Sequence, residues 1–342
     1  MKIRNKLKLR NFFKASGVTV LVTLILGIGV LTPITLIKTN SNIIALIVST
    51  RNNPFFADII SGAQNAISVN SNYELRIFDS NGSDNEQVRN IDSAISIGAK
   101  AVIINVVNSE TGANAGISKL LDINIPVVAV DRGVENANVD LTIASDNIAG
   151  SRDLANSFKN KILDKNFENK ILLKNNSIFQ LQGQPGSQSS LDRNKGFGEI
   201  FGNSIANKVI ANFSRPQAFT ATSSFLAKDG PKNTKVIFAE NDEMALGAIQ
   251  ALRSPFMPWS LPWTTFNDGR VYVMGFDGTT DALESIKNNE MYSTVIQEPT
   301  TMGEIAISEL FKYFNTNSFE SSYIPSPTTV VDKDNVGEFL IK

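Results

Sequence analysis

The chain of 342 residues contains neither cysteine nor histidine. Without cysteine there is no disulfide, no thiolate metal site, no cysteine nucleophile and no lipid attachment through an amino-terminal thiol. Without histidine, Ser-His-Asp catalysis and the common zinc sites are excluded. No cofactor or metal is expected. A basic stripe is missing too. Residues 1–42 carry seven Lys or Arg and no acid, which leaves 25 basic against 33 acidic residues in the remainder, a net of −8. An acidic body of that kind is a poor nucleic-acid binder.

What is present first is an apolar run. Lys2, Arg4, Lys6, Lys8, Arg10 and Lys14 precede an uncharged stretch from Ala15 to Ile37, closed by Lys38. Its 23 residues would make a helix of roughly 34 Å, enough to cross a bilayer. It is long for a signal-peptide core and lacks a convincing small-x-small cleavage site before Asn42. The expectation is a membrane anchor through residues 15–37, with a cleaved signal peptide as the alternative. The positive-inside rule keeps the basic end in the cytoplasm and puts everything after Lys38 outside. The body is therefore expected on the outer face of the cell membrane if anchored, and secreted or periplasmic if cleaved.

Beyond Asn42, short apolar runs alternate with helical patterns. The run Ile43 to Val48 breaks into Ser49–Phe56, STRNNPFF, in which Pro54 suits the first turn of a helix. Apolar runs at Leu75–Phe78, Ala101–Asn105, Pro126–Val130 and Leu141–Ala144 read as further strands, with a capping box at Ser83 and Glu86 opening one intervening helix. The pattern then restarts with strands at Ile178–Gln182, Lys208–Phe213, Lys235–Ala239, Val271–Phe276 and Tyr292–Ile296. This alternation predicts an α/β chain of two doubly wound parallel-sheet lobes.

In such sheets ligands sit at the carboxyl ends of the strands. Those ends carry Ser49 and Asn53, Asp131 and Arg132, Asn241, Asp277 and Gln297, with Arg193 on a helix after another strand. Planar side chains that accept, donate or do both match sugar hydroxyls. Phe55, Phe56 and Phe213 would supply apolar faces for the C–H surfaces of a sugar ring. One Asp after a strand is more often a helix cap; a set spread over two lobes points to a ligand.

These residues fall in motifs with a recognisable order. STRNNPFF, VDRG at Val130–Gly133, IASDN at Ile143–Asn147, FAENDEMALGA at Phe238–Ala248 and GFDGT at Gly275–Thr279 resemble the substrate-binding proteins of bacterial sugar ABC importers, the ribose binders in particular. The resemblance implies the periplasmic binding protein type I fold, with two lobes joined by three crossovers near Ser145, Gln297 and Pro325. The first lobe would comprise residues 43–145 and 298–326, the second 146–297 and 327–342. It implies sugar contacts from Ser49, Asn53, Phe55, Phe56, Asp131 and Arg132 in the first lobe. The second would supply Arg193, Phe213, Asn241 and Asp277, with Gln297 at a crossover. Arg193 is placed by aligning DRNKGF with an Arg-x-x-Gly-Phe helix; Phe213 follows from ANF, although its loop is two residues longer than expected.

The implied ligand is D-ribose, the implied partner an ABC permease, and the implied state a monomer without enzymatic activity. A sugar-sensing subunit for a membrane receptor, or a binder of another pentose or a hexose, is the alternative. Each carboxylate is expected beside arginine or amide partners that keep it ionised. Three departures stand out: Arg51 in the first loop, the anchor, and the segment Ser254–Arg270, which holds both tryptophans.

Overall fold

A computed structural model describes residues 42–110, 114–163, 177–229, 234–254 and 271–340. The apolar segment 15–37 and the aromatic stretch 255–270 lie outside the described residues. Among the described residues no helix is long and apolar enough to cross a membrane.

The first lobe begins β1 (Asn42–Val48), α1 (Pro54–Ile67), β2 (Tyr73–Asp79), α2 (Asp84–Ser96), β3 (Ala101–Ile104), α3 (Asn114–Asp122), β4 (Val127–Val130) and β5 (Leu141–Ser145). The second follows as α4 (Asn147–Phe158), β6 (Ile178–Gln182), α5 (Gln188–Phe201), β7 (Ile205–Ile210), α6 (Arg215–Asp229), β8 (Val236–Ala239), α7 (Asp242–Leu252), β9 (Tyr272–Met274), α8 (Thr280–Lys287) and β10 (Ser293–Ile296). The chain then returns through α9 (Pro299–Thr316) and β11 (Tyr323–Ser326), and ends on β12 (Thr329–Asp332).

The sheets run β11-β5-β4-β3-β1-β2 and β12-β10-β9-β8-β6-β7. The two orders correspond strand for strand, a topological repeat that residue identity does not display. All pairings in the first sheet are parallel, whereas β12 lies antiparallel on β10. A chain that crosses for the last time between Ser326 and Thr329 can reach the second sheet only in that direction. Three passages link the sheets, after Ser145, between Ile296 and Pro299, and between Ser326 and Thr329.

Local chemistry explains the elements. Pro54 opens α1 behind the N-cap Asn53, whose Oδ1 accepts the Phe55 amide at 3.0 Å. Ser83 Oγ accepts the Glu86 amide at 3.3 Å and caps α2. Helix α9 returns to the first lobe and crosses α1 closely at Gly62 and Gly303. A Cβ on Gly62 would meet the Thr300 carbonyl oxygen at 1.9 Å, and one on Gly303 the Ile59 carbonyl oxygen at 2.2 Å. Each sheet is packed on both faces by aliphatic and aromatic side chains, so inner strands such as β3, β4 and β8 read as continuous apolar runs, whereas the edge strands β2 and β7 carry charged residues.

Two expectations are corrected. The strand placed at Lys208–Phe213 sits at Ile205–Ile210, because Asn212 and Phe213 adopt left-handed φ angles of 53° and 57° that end it. Helix α6 was not anticipated: its Thr and Ser content masks any apolar face, and only neighbouring α7 identifies its inner side.

Candidate functional site

Each sheet has its switch in strand order beside the first strand of its lobe, between β1 and β3 and between β6 and β8. There neighbouring connections leave in opposite directions and open a crevice. Register brings Ser49, Asn105 and Asp131 out at one edge of the first sheet, since Ile47 lies opposite Ile104 and Ile104 opposite Ala129.

In the first lobe Asn105 organises that edge. Its Nδ2 donates to Asp131 Oδ2 at 3.0 Å and to the Val130 carbonyl at 3.1 Å, while its Oδ1 accepts the Ser49 amide at 3.3 Å. Asp131 has φ 68°, a strained backbone for a non-glycine residue that turns its carboxylate inward. Buried Arg132 donates from Nη1 to the Val106 carbonyl at 3.0 Å and pairs through Nε with Asp131 at 3.2 Å. Its guanidinium stands 5.5 Å from the Phe56 ring centre and 5.3 Å from that of Phe213, which belongs to the other lobe.

The second lobe mirrors this arrangement. Arg193 on α5 donates from Nε to Asn147 Oδ1 at 2.8 Å, and from Nη1 to the Glu240 carbonyl at 2.7 Å and to Asp277 Oδ1 at 3.3 Å. It lies 4.0 Å above the Phe276 ring. Asp277 also has a positive φ, 129°, and receives Gln297 Nε2 at 2.8 Å. The loop carrying it is held by buried Asp242, whose Oδ2 accepts the Gly278 and Thr279 amides, each at 2.8 Å. Glu240 accepts the Gly183 amide at 2.7 Å, Gln180 Nε2 at 2.8 Å and the Ser190 hydroxyl, and so joins β6, α5 and β8. A Cβ on Gly183 would lie 2.1 Å from the Phe213 ring, so glycine there makes room for the aromatic wall.

The lobes meet over this floor. The Ser109 amide donates to the Gly186 carbonyl at 2.8 Å, the Gln188 amide to Ser109 Oγ at 3.1 Å, and Gln184 Nε2 to the Gly82 carbonyl at 3.3 Å. An inner cavity of about 10 Å³, room for roughly one water molecule, lies between them. Asn53, Phe55, Phe56, Asp131 and Arg132 line it from the first lobe; Ser189, Arg193, Phe213 and Asp277 line it from the second.

Of the other expected site residues, Ser49 lines a larger outer cavity. Asn241 and Gln297 line neither cavity. Asn241 Oδ1 caps α7 by accepting the Met244 amide at 3.0 Å, and Gln297 holds Asp277. Asn241 Nδ2, Gln297 Oε1 and Ser49 Oγ are nonetheless buried without a hydrogen-bond partner. Asn105, Asn147, Glu240 and Asp242 were not singled out from sequence. Asn105 was marked only by its place at a strand end, whereas Asn147 lies in IASDN and Glu240 and Asp242 in FAENDEMALGA.

Charge at the site departs from expectation. Burial pushes the Asp277 carboxyl up to about 7, although Arg193 and the Asn53 amide of the opposite lobe pull it down. Asp242, also buried, and Asp131 add repulsion. The arginine partner alone therefore does not hold Asp277 fully ionised in the shut cleft, because desolvation outweighs the ion pair. Burial likewise raises Glu240 to about 7 and Asp242 to about 6.

Residues 44–317 match the periplasmic binding protein domain family. The chain is 32% identical over 294 residues to the ribose import binding protein of Haemophilus influenzae, covering 85% of this chain and 91% of that one. It is 32% identical over 265 residues to the ribose import binding protein of Bacillus subtilis, covering 77% and 78%. A solved galactofuranose binding protein superposes with TM-score 0.77 at 22% identity, over 87% of this chain and 97% of that one, a likeness of fold. Two lobes with matching strand orders, three passages between them and a polar crevice at the strand ends agree with that match: the chain belongs to the periplasmic binding protein family.

Proposed function

We propose that this chain binds a monosaccharide, D-ribose, between its lobes outside the cell membrane and delivers it to the permease of an ABC importer. The observation that carries the reading is the convergence of Asn53, Asp131, Arg132, Arg193 and Asp277 on one small space walled by Phe55, Phe56 and Phe213. Carboxylates accept, guanidinium groups donate and amides do both, which is the set that several neighbouring hydroxyls require. The buried unpaired atoms of Ser49, Asn241 and Gln297 add capacity for further hydroxyls or for water bridging to them. The ribose import binding proteins among the relatives favour ribose; relatives named for D-apiose import and galactofuranose binding make those sugars the competing ligands.

The lobes are the two units that close, residues 43–145 with 298–326 against 146–297 with 327–342. Open lobes sample closure about the three passages, and sugar contacts made only when shut shift the balance. Shutting the cleft without sugar desolvates Asp277. Hydroxyls donating to its carboxylate remove that penalty, so closure is tied to ligand. The chain acts as a monomeric binder rather than an enzyme, and residues 15–37 hold it at the membrane. A sensing subunit would use the same closure, but no observed feature favours it.

Calorimetry of the full chain against D-ribose, D-apiose, galactose, glucose and xylose tests the proposal. Ribose binding more tightly than the others is the expected result. Failure of ribose while another sugar binds would retire ribose and keep sugar binding.

A further inference from the structure

Immediately outside the inner cavity lies a second space of about 600 Å³, bounded by both lobes. It shares Asn53, Phe56, Arg132 and Phe213 with the inner one, so the two form one continuous cleft. The inner part has room for only one water with the lobes shut this far. A sugar seated on the inner polar groups borders the outer space, because four of the residues around it line both. That space falls within the roughly 300–1,000 Å³ typical of sites for drug-sized molecules, which are larger than a pentose.

Carboxamides are the most numerous polar groups of the outer wall. Asn52, Asn81, Gln184, Asn212 and Gln217 line it with carboxamides, of which Asn212 Nδ2 donates to Gln217 Oε1 at 2.8 Å and leaves Asn212 Oδ1 and the Gln217 amino group for a ligand, and Ser49, whose buried hydroxyl has no partner, stands at its edge. The charged groups there are neutralised. Arg215 pairs through Nε and Nη2 with Glu243 at 2.9 and 2.8 Å, and through Nη2 with Asp281 at 2.9 Å. The rings of Phe56 and Phe213 already face the Arg132 guanidinium, which leaves no free aromatic pair to clasp a planar base. A wall of neutral amides matches hydroxyls and suits neither phosphate nor a stacked heterocycle. From this cavity and its lining we infer a second subsite, which takes a neutral sugar unit glycosidically linked to the monosaccharide held inside.

This inference rests on the sugar-binding reading proposed above. It is tested by calorimetry of the full chain with D-ribose and with ribosyl-ribose disaccharides linked through O1, O2, O3 or O5. At least one disaccharide should bind as tightly as ribose or more so. Asn52→Ala and Gln217→Ala should each weaken that disaccharide about two- to tenfold, the range for one lost hydrogen bond, and leave ribose within about twofold. Asn52→Trp, which fills the outer space, should weaken the disaccharide more than about tenfold and spare ribose. Ribose binding while every disaccharide fails overturns this inference alone, as does disaccharide affinity that ignores all three substitutions. Binding of neither ribose nor any disaccharide overturns the ribose reading and this inference with it, and failure of every sugar in the wider panel overturns sugar binding itself.

Discussion

Replacing Asp277 by alanine separates its two possible duties, ligand acceptor and structural cap. In the shut cleft its Oδ1 takes Gln297 at 2.8 Å and faces Arg193 at 3.3 Å. The helix behind it does not depend on it: Thr279 Oγ1 caps α8 by accepting the Ala282 amide at 3.4 Å, and Asp242 holds the intervening amides. A carboxylate accepting two sugar hydroxyls makes two charge-assisted hydrogen bonds of about 1.5–3 kcal/mol each. Their loss should weaken sugar binding by about a hundredfold or more. Asp277→Asn keeps an acceptor and should cost roughly ten- to a hundredfold.

Stability should move little, because Arg193 keeps Asn147 and the Glu240 carbonyl and water replaces the lost partner once the lobes part. A further effect separates the variants from a simple contact loss. Burial raises the Asp277 pKa, so shutting the lobes on an ionised carboxylate is disfavoured. Asp277→Asn removes that cost, so the sugar-free variant should show a smaller radius by solution scattering than the parent. Calorimetry, scattering and thermal melting on the same preparations give the answer. Unchanged sugar affinity with a clear drop in melting temperature would refute the reasoning.

The parent's sugar-free radius should also shrink as pH falls from about 7 towards 4, since the shut state, with its raised Asp277 pKa, then binds more protons than the open one; a pH-independent radius would remove Asp277 as the brake on closure. Glu240 rises from 4.5 to about 7 on folding, so the folded chain binds the extra proton between those values and its contribution to stability is lost as pH rises through that window. Glu240→Gln should flatten the slope of melting temperature between pH 5 and 7.5, and an unaltered slope would contradict the assignment. Asn105→Ala should weaken sugar binding about tenfold by releasing Asp131, a loss of one or two supporting hydrogen bonds. Gly303→Ala should destabilise the first lobe by about 1–3 kcal/mol through overpacking against Ile59, with sugar affinity retained; an unchanged melting temperature would deny the close crossing.

Much of this chain was legible before folding was considered. The apolar runs that become β1, β3, β4 and β8 are buried on both sides, so each reads as a continuous stretch rather than an alternation. Asn53 and Pro54 mark the start of α1 because a cap and a ring-locked φ act through nearest neighbours alone. STRNNPFF, VDRG and GFDGT lie at strand ends, and a doubly wound sheet brings all such ends to one edge whatever the details of packing. Properties set by local backbone preference and by the period of apolar residues survive in one dimension.

The remainder depended on partners distant in the chain. Helix α6 has its inner face defined by α7, and the Phe213 ring has room only because glycine stands at position 183, in the loop after β6. The direction of β12 follows from where the last passage leaves the first sheet. Asn105, Glu240 and Asp242 act by holding groups 26, 57 and 36 positions away, distances that no local pattern encodes. The raised pKa of Asp277 has the same origin. Its arginine partner could be inferred from the motifs, but the loss of water that outweighs that partner exists only when the two lobes shut over it.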